Sequence, residues 1–415
     1  MNSKNLYKNL LKNKLLLITT FIIILLIVYY LVNSNNSEEK LKLILKKHCN
    51  ITINGNNPQD IIVTNNKFYN MALTNGELGV SESYMYGYWY SNDLYSTIYQ
   101  LCSNYKSISY YDFNINDVLS ILSRKIFNQQ TISRALVDVQ SHYDIGNDLY
   151  TRMLDKNMQY TCGFWQDTND LDTAQLQKMK IIGQKLNLKP GDTLLDIGCG
   201  WGYLINYLSK EYNVKGLGIT LSEEQLSYAK NEFKNNENVD YKLMDYRNIP
   251  KNMKFNKIVS VGMLEHVGVK NYNDYFNIVY DHLENNGLAL IHTIGRQSNI
   301  TNAQATSDFI DKYIFPGVYV PCWEELSPIV SRKFFIQDWH NFGQYYNKTL
   351  LAWHKIINSK WNEIPNYNEE FKKMWNFYLI SSAVSFELCH LKLWQILISK
   401  DCLTKLPRRD CLIKY

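Results

Sequence analysis

Hydrophobic positions follow three different rhythms along this chain. The first is a solid block: Leu15 to Val32, LLLITTFIIILLIVYYLV, is an 18-residue run without a charge. As a helix it would reach about 27 Å, close to the hydrocarbon thickness of a bilayer. A core helix would keep a polar face, and no small-residue cleavage site follows in NSNNSEEK. The pattern predicts a retained transmembrane anchor over 15–32 behind a basic flank at 1–14, with Tyr29 and Tyr30 at the interface. A polar, Asn-rich linker at 33–37 leads into the second part, a smaller and mainly helical accessory or lipid-binding domain over 33–137. Its helical patterns lie near 93–103 and 116–137, and it carries a Gly- and Tyr-rich stretch, NGELGVSESYMYGYWY (Asn75–Tyr90). The aromatics at 84–90 read as packing before they read as a lipid platform.

In the third part, 138–415, short apolar runs alternate with amphipathic helices. This α/β rhythm belongs to a parallel sheet with crossover helices. Strands are expected at Thr193–Asp196, Val214–Ile219, Val239–Leu243, Lys257–Val261 and Leu288–Thr293. A helix is expected after Ser222, where S-E-E-Q (Ser222 to Gln225) forms a capping box. The last ninety residues, rich in Trp and Phe, read mostly helical.

Composition narrows the partners. The chain has 415 residues, 46% hydrophobic and 20% charged, enough for two to three domains with a large core. Global disorder and collagen-like architecture are excluded. The net charge of +5 hints at nucleic acid, but its distribution removes the hint. Residues 1–47 hold eight Lys and two Glu, and the rest hold 36 Lys plus Arg against 37 Asp plus Glu. The body is therefore near neutral and no nucleic-acid partner is expected. The positive charge flanks the apolar run, where it suits anionic lipid head groups. The eight cysteines show no CxxC spacing, which argues against a disulfide framework or a metal site.

The first chemical signal is Asp196-Ile197-Gly198-Cys199-Gly200-Trp201-Gly202, at the end of a strand and the start of a helix. Glycines at alternate positions let backbone turn sharply and approach a ligand. Asp196 sits at the usual crevice of a doubly wound sheet. A dinucleotide fold wants G-x-G-x-x-G and a carboxylate about 20 residues on; the spacing here is G-x-G-x-G, and Gly218–Ser222 carries no acid. D-x-G-x-G-x-G resembles motif I of S-adenosylmethionine (SAM)-dependent methyltransferases.

Further motifs make the resemblance specific. They are HYDIGNDLY (His142–Tyr150), MQYTCGFW (Met158–Trp165), VGMLEHVG (Val261–Gly268), HTIG (His292–Gly295), KYIFPG (Lys312–Gly317) and DWHNFG (Asp338–Gly343), with Tyr346 beyond. In this order and spacing the chain resembles the cyclopropane-fatty-acyl-phospholipid synthase family, with mycolic acid cyclopropane synthases as more distant relatives. The likeness runs from about residue 71 to 400, and Leu78–Met85 favours the phospholipid-acting branch. It implies a class I SAM-dependent methyltransferase fold, a Rossmann-like doubly wound sheet, behind the accessory domain and the anchor.

The resemblance also implies a reaction. A cis double bond of an unsaturated phospholipid attacks the methyl of SAM, and the resulting carbocation loses a proton and closes to a cyclopropane. Such a site needs an apolar slot, aromatic faces near the cation, a nearby base and no water. The family's base is a bound bicarbonate, and its implied holders are Cys162, Glu265, His292, the Ile294 backbone and Tyr346. Tyr, His and the amide donate to an anion; ionised Glu265 accepts the ion's own O–H, and a carboxylate beside an anion has its pKa raised. The implied SAM contacts are Tyr160, Thr161, Asp196, Gly198, Gly200, Thr220, Gln225 and Tyr246, with Gln225 reaching polar groups and Tyr246 stacking on the adenine.

Other readings stay open. Cys162 alone is commonly a small buried hydrophobe, His266 and His340 are ligands or packing, and Asp144 and Asn147 hold a turn. The family's Cys and Arg positions in a late helix read Ser382 and Glu387, and Cys389 lies seven residues late. The carbocation can also end as a methyl-branched or hydroxylated chain, and a degenerate fold would bind lipid without catalysis. Lys4, Lys8, Lys12 and Lys14 balance Lys40, Lys42, Lys46 and Lys47 across the run, so charge does not orient it. SAM is made in the cytosol, which places 33–415 on that side. The family implies a homodimer.

Overall fold

The computed structural model describes residues 37–104, 146–297 and 307–402. Among them no helix is long and apolar enough to cross a membrane. The expected anchor at 15–32, the helix at 116–137 and the domain boundary at 137 lie outside the described residues, as do His142–Ile145. The chain divides into two units, Met1–Asn114 and Ile115–Tyr415.

In the first unit, α1 (Ser37–Ile44) is followed by β1 (Ile62–Val63), α2 (Lys67–Met85), β2 (Trp89–Tyr90) and α3 (Leu94–Ser103), with β1 antiparallel to β2. The Gly- and Tyr-rich stretch forms the second part of α2, after a break at Gly76 (φ 52°), and then β2. Trp89 is buried; its indole donates to Val80 O at 3.0 Å and to Ser83 Oγ at 3.1 Å, and its ring meets Tyr84 and Phe68. Tyr86 and Tyr90 face solvent. Asp93 caps α3 by accepting the Ser96 N–H at 3.0 Å.

The second unit is built on alternation within a parallel sheet. Helices α4 (Asn147–Met153) and α5 (Leu171–Lys185) precede β3 (Thr193–Ile197). Then come α6 (Tyr203–Tyr212), β4 (Lys215–Thr220), α7 (Glu223–Glu232), β5 (Val239–Leu243), β6 (Phe255–Val261), α8 (Tyr272–His282) and β7 (Leu283–Arg296). After these follow α9 (Trp323–Ser331), β8 (Phe335–Asn341), α10 (Gln344–Asn358), α11 (Glu369–Glu387) and β9 (Leu391–Ser399). The sheet order is β5-β4-β3-β6-β7-β9-β8, parallel through β7, with β9 antiparallel to both β7 and β8. Successive side chains of β3 serve opposite faces. Leu194 joins Met179, Ile182, Leu204 and Leu208 of α5 and α6, whereas Leu195 and Ile197 join Tyr272, Phe276 and Val279 of α8. Burying each such Leu or Ile contributes about 1.5–3 kcal/mol.

The five expected strands are all present, with the fifth extended at both ends. The last ninety residues are mostly helical where described, as expected, but two strands that the sequence did not suggest, β8 and β9, bracket α10 and α11. Leu393 to Ser399 is a continuous buried run, flanked by β7 and β8. A short run of this kind has no polar face, so its period does not separate strand from buried helix. The β8 strand carries Asp338, Trp339 and His340, so its pattern is not apolar either.

Candidate active site

The loop after β3 is closed by backbone geometry. Gly198, Gly200 and Gly202 all have positive φ (81°, 55° and 84°). The amides of Gly198 and Cys199 both donate to Ile219 O at 3.0 Å, fastening the loop to β4. A Cβ on Gly200 would meet nothing within 4 Å, so a ligand has open space against this backbone. Trp201 of the same loop donates its indole N–H to Asn147 Oδ1 at 2.8 Å, giving Asn147 a role beyond a local turn. Asp196 is buried, both its carboxylate oxygens lack a hydrogen-bond partner, and burial pushes its pKa up to about 7. An acceptor pair of this kind fits a ligand carrying donors, as the amino or hydroxyl groups of SAM do.

On the next crossover, Ser222 caps α7 by accepting the Gln225 N–H at 3.2 Å. The Gln225 side chain does not return to the cap. Its Oε1 accepts from Thr220 Oγ1 at 2.8 Å, while Thr220 Oγ1 accepts the Ser222 amide, so Thr220 and Gln225 steady one another. Tyr246 lies in the core, edge-on to Tyr275, with the Arg247 guanidinium 5.3 Å from its ring centre. Arg247 is in turn paired with Asp245.

The chemical residues gather at the carboxyl edge of β6 and β7. Val261 pairs with His292 in the sheet, and Gly262 N donates to His292 O at 2.9 Å. Glu265, in a short helical turn after β6, is buried; its Oε1 accepts the Ile294 N–H at 2.6 Å and its Oε2 has no partner. Glu265 therefore uses the amide that sequence reasoning offers to an anion. Burial is the largest cause that pushes Glu265 up to about 7, opposed by the Ile294 and Glu265 amides and the nearby Thr293 hydroxyl. His292 is buried, and Gln395 Nε2 of β9 contacts its Nδ1 at 3.3 Å. The other ring nitrogen, Nε2, has no partner. Burial, then the charges of Lys178 and Lys185, hold the His292 pKa well below its ordinary value, so the ring is neutral. One buried carboxylate oxygen and one buried ring nitrogen are thus left unpaired at this edge. A small oxyanion bearing one O–H, such as bicarbonate, is suited to both.

Cys162 is fully buried, donates weakly to Gly163 O at 3.2 Å, and lies 3.8 Å from Thr349 Oγ1. Burial pushes its thiol up, which makes it a neutral donor and not a nucleophile. Thr161 accepts the Lys178 ammonium at 2.7 Å, and its methyl is what a Cβ on Gly262 would strike at 2.9 Å. Tyr160 shares a hydrogen bond with Tyr378 at 3.0 Å and packs against Tyr150, Trp353 and Phe315. Tyr346 stacks on Phe386 at 4.4 Å, one turn of α10 from Thr349. These aromatics supply the faces that a cationic intermediate requires.

His266 is pushed down to about 4 by burial and meets Phe315. Glu387 and Cys389 are exposed at the end of α11, so Cys389 does not replace the thiol missing at Ser382. Sequence reasoning passed over Lys178, Thr349 and Gln395. Lys178 was legible as a charge on an otherwise apolar stripe of α5, with Leu171, Ala174 and Ile182. Thr349 and Gln395 carried no signal of their own.

This nucleotide-type loop, strand order and site define a class I SAM-dependent methyltransferase. Residues 130–396 match the family described as mycolic acid cyclopropane synthetase, and the chain belongs to that family. It is 40% identical over 357 residues to the cyclopropane-fatty-acyl-phospholipid synthase of Escherichia coli K12, covering 86% of this chain and 92% of that one. The cyclopropane synthase MmaA2 of Mycobacterium tuberculosis superposes with a TM-score of 0.61 at 28% identity, over 64% of this chain and 98% of that one. Mycolic acid cyclopropane synthase CmaA1, complexed with SAH and CTAB, gives 0.60 at 27% identity, over 64% and 98%.

Proposed function

We propose that this enzyme converts cis double bonds in phospholipid acyl chains to cyclopropanes, with SAM as methyl donor and a bound bicarbonate as base. Bound SAM would supply an electrophilic sulfonium methyl. The loop Asp196–Gly202 would hold it, with Asp196 accepting from its donors and the open face of Gly200 admitting its backbone-side atoms. Thr220 at the end of β4 and Gln225 bonded to it would line the same crevice, Thr161 lies against Gly262 after β6, Tyr160 packs on Trp353, and Tyr246 supports the wall from the core.

The observation that carries this reading is the unpaired couple, Glu265 Oε2 and His292 Nε2, in a buried edge lined by aromatics. His292 donates to an anion's oxygen, while ionised Glu265 accepts its O–H and keeps the ion's other oxygens directed at the substrate. Cys162 and Tyr346 add donors, and Ile294 acts through Glu265 by fixing the carboxylate. Tyr160, Trp353 and Phe315 screen a carbocation from water. The apolar run at 15–32 would keep the catalytic unit beside its lipid.

The test is incubation with labelled SAM and monounsaturated phospholipid vesicles, followed by lipid mass spectrometry. Cyclopropanation adds one methylene and removes the double bond. A methyl-branched or hydroxylated product would overturn the ring-closing step. No label in lipid, with SAM bound, would overturn the substrate.

A further inference from the structure

Lys178 is completely buried, and its Nζ donates to Thr161 Oγ1 at 2.7 Å. Among the described residues no carboxylate stands within ion-pair reach of it. The contrast is with Lys185, two turns on along the same helix face, which is also buried but is paired with Asp338 at 3.0 Å. Asp155 is the nearest acid whose charge bears on Lys178. Its two carboxylate oxygens are already taken by the amides of Asn157 and Gln159, at 2.9 and 2.8 Å. A buried ammonium without a contact counter-ion costs several kcal/mol unless an anion completes it.

The surroundings point to where that anion belongs. Lys178 hydrogen-bonds the residue next to Cys162, and its charge acts on both the Cys162 thiol and the His292 ring. Neither of those groups is ionised, so neither satisfies the charge. Asp155 acts on the ammonium only through space, so the place for a contact anion is the neighbouring edge where the Glu265 and His292 atoms are left unpaired; Thr161, which holds Lys178, abuts Gly262, and Gly262 N donates to His292 O.

We propose that Lys178 is the counter-charge that draws and retains the small oxyanion of this site. The proposal rests on the anion reading given above. It assigns Lys178 an electrostatic role, with Thr161 relaying its position; no proton transfer is asked of it. In a site this dry, the loss of one positive charge weakens anion binding far more than it would at a surface.

The experiment titrates bicarbonate against the full-length protein at constant ionic strength, with chloride as the balancing anion. The readout is thermal stabilisation, and SAM affinity is measured in parallel. Lys178→Gln keeps the reach to Thr161 and removes the charge, whereas Lys178→Arg keeps the charge. Gln should raise the half-saturating bicarbonate by about tenfold or more and leave SAM affinity within about twofold, while Arg stays near wild type. Should Gln fail to bind SAM, Lys178→Met, which retains the apolar stem, supplies the same comparison. Wild-type stabilisation by bicarbonate with an unchanged midpoint in the neutral variants would overturn this role for Lys178 alone. Absence of any bicarbonate effect in wild type would overturn the anion reading itself.

Discussion

Glu265 is the residue on which most of the proposed chemistry turns, and burial sets its behaviour. Its folded pKa of about 7 stands against an ordinary 4.5. Between those values the folded state holds a proton that the unfolded state has released, so this group's contribution to stability falls as pH rises through that window. Glu265→Gln removes that contribution. Its Tm relative to wild type should therefore climb between about pH 4.5 and 7 in the ligand-free protein, as calorimetry across that range would check. In the proposed mechanism only the ionised carboxylate accepts the anion's O–H, so wild-type kcat/KM should rise as pH passes about 7. Glu265→Gln should lose about 10²-fold or more in kcat with SAM affinity retained. Cys162 offers a second test at this scale. A fully buried, neutral thiol should resist alkylation in the folded protein, while exposed Cys389 and Cys402 react, as peptide mass mapping would show.

At the scale of elements, the antiparallel β9 explains details that a parallel sheet would not. It brings Gln395 opposite His292 and lays Trp394 over the HTIG glycine. A Cβ on Gly295 would lie 2.2 Å from the Trp394 ring. Gly295→Ala should cost about 1–3 kcal/mol and lower Tm, and Gly295→Ala with a smaller residue at 394 should recover part of it. The strands β3, β4 and β6 were legible as short runs, largely apolar, between turn signals, and β5 (VDYKL) through its alternation of apolar and polar residues. The glycine loop was legible because its spacing demands a backbone that Ala would not adopt. By contrast β9 was not legible, since seven consecutive buried residues have no period to read. Tyr246 illustrates another limit: an aromatic after a strand suits a ligand or the core equally, and only packing against Tyr275 and Arg247 distinguishes them.

At the scale of the whole molecule, the sequence joins a near-neutral catalytic body to a basic, apolar N-terminus. Tethering would replace charge as the means of staying near lipid. Full-length protein should therefore remain in the membrane pellet after carbonate extraction, and a chain beginning at residue 37 should be released; release of both would overturn the anchor. The catalytic motifs span nearly 200 residues, from Tyr150 to Tyr346, and the sheet edge collects them. What the sequence by itself determined was the parallel α/β plan, the SAM-type loop and the inventory of chemical groups, because periodicity and glycine spacing are local properties. Which groups lack a partner emerged only once the chain was folded. Glu265 claims the Ile294 amide, Gln395 meets the His292 ring, and Lys178 is buried with no carboxylate in contact among the described residues. Burial and pairing depend on residues far apart in the chain, so no local pattern encodes them.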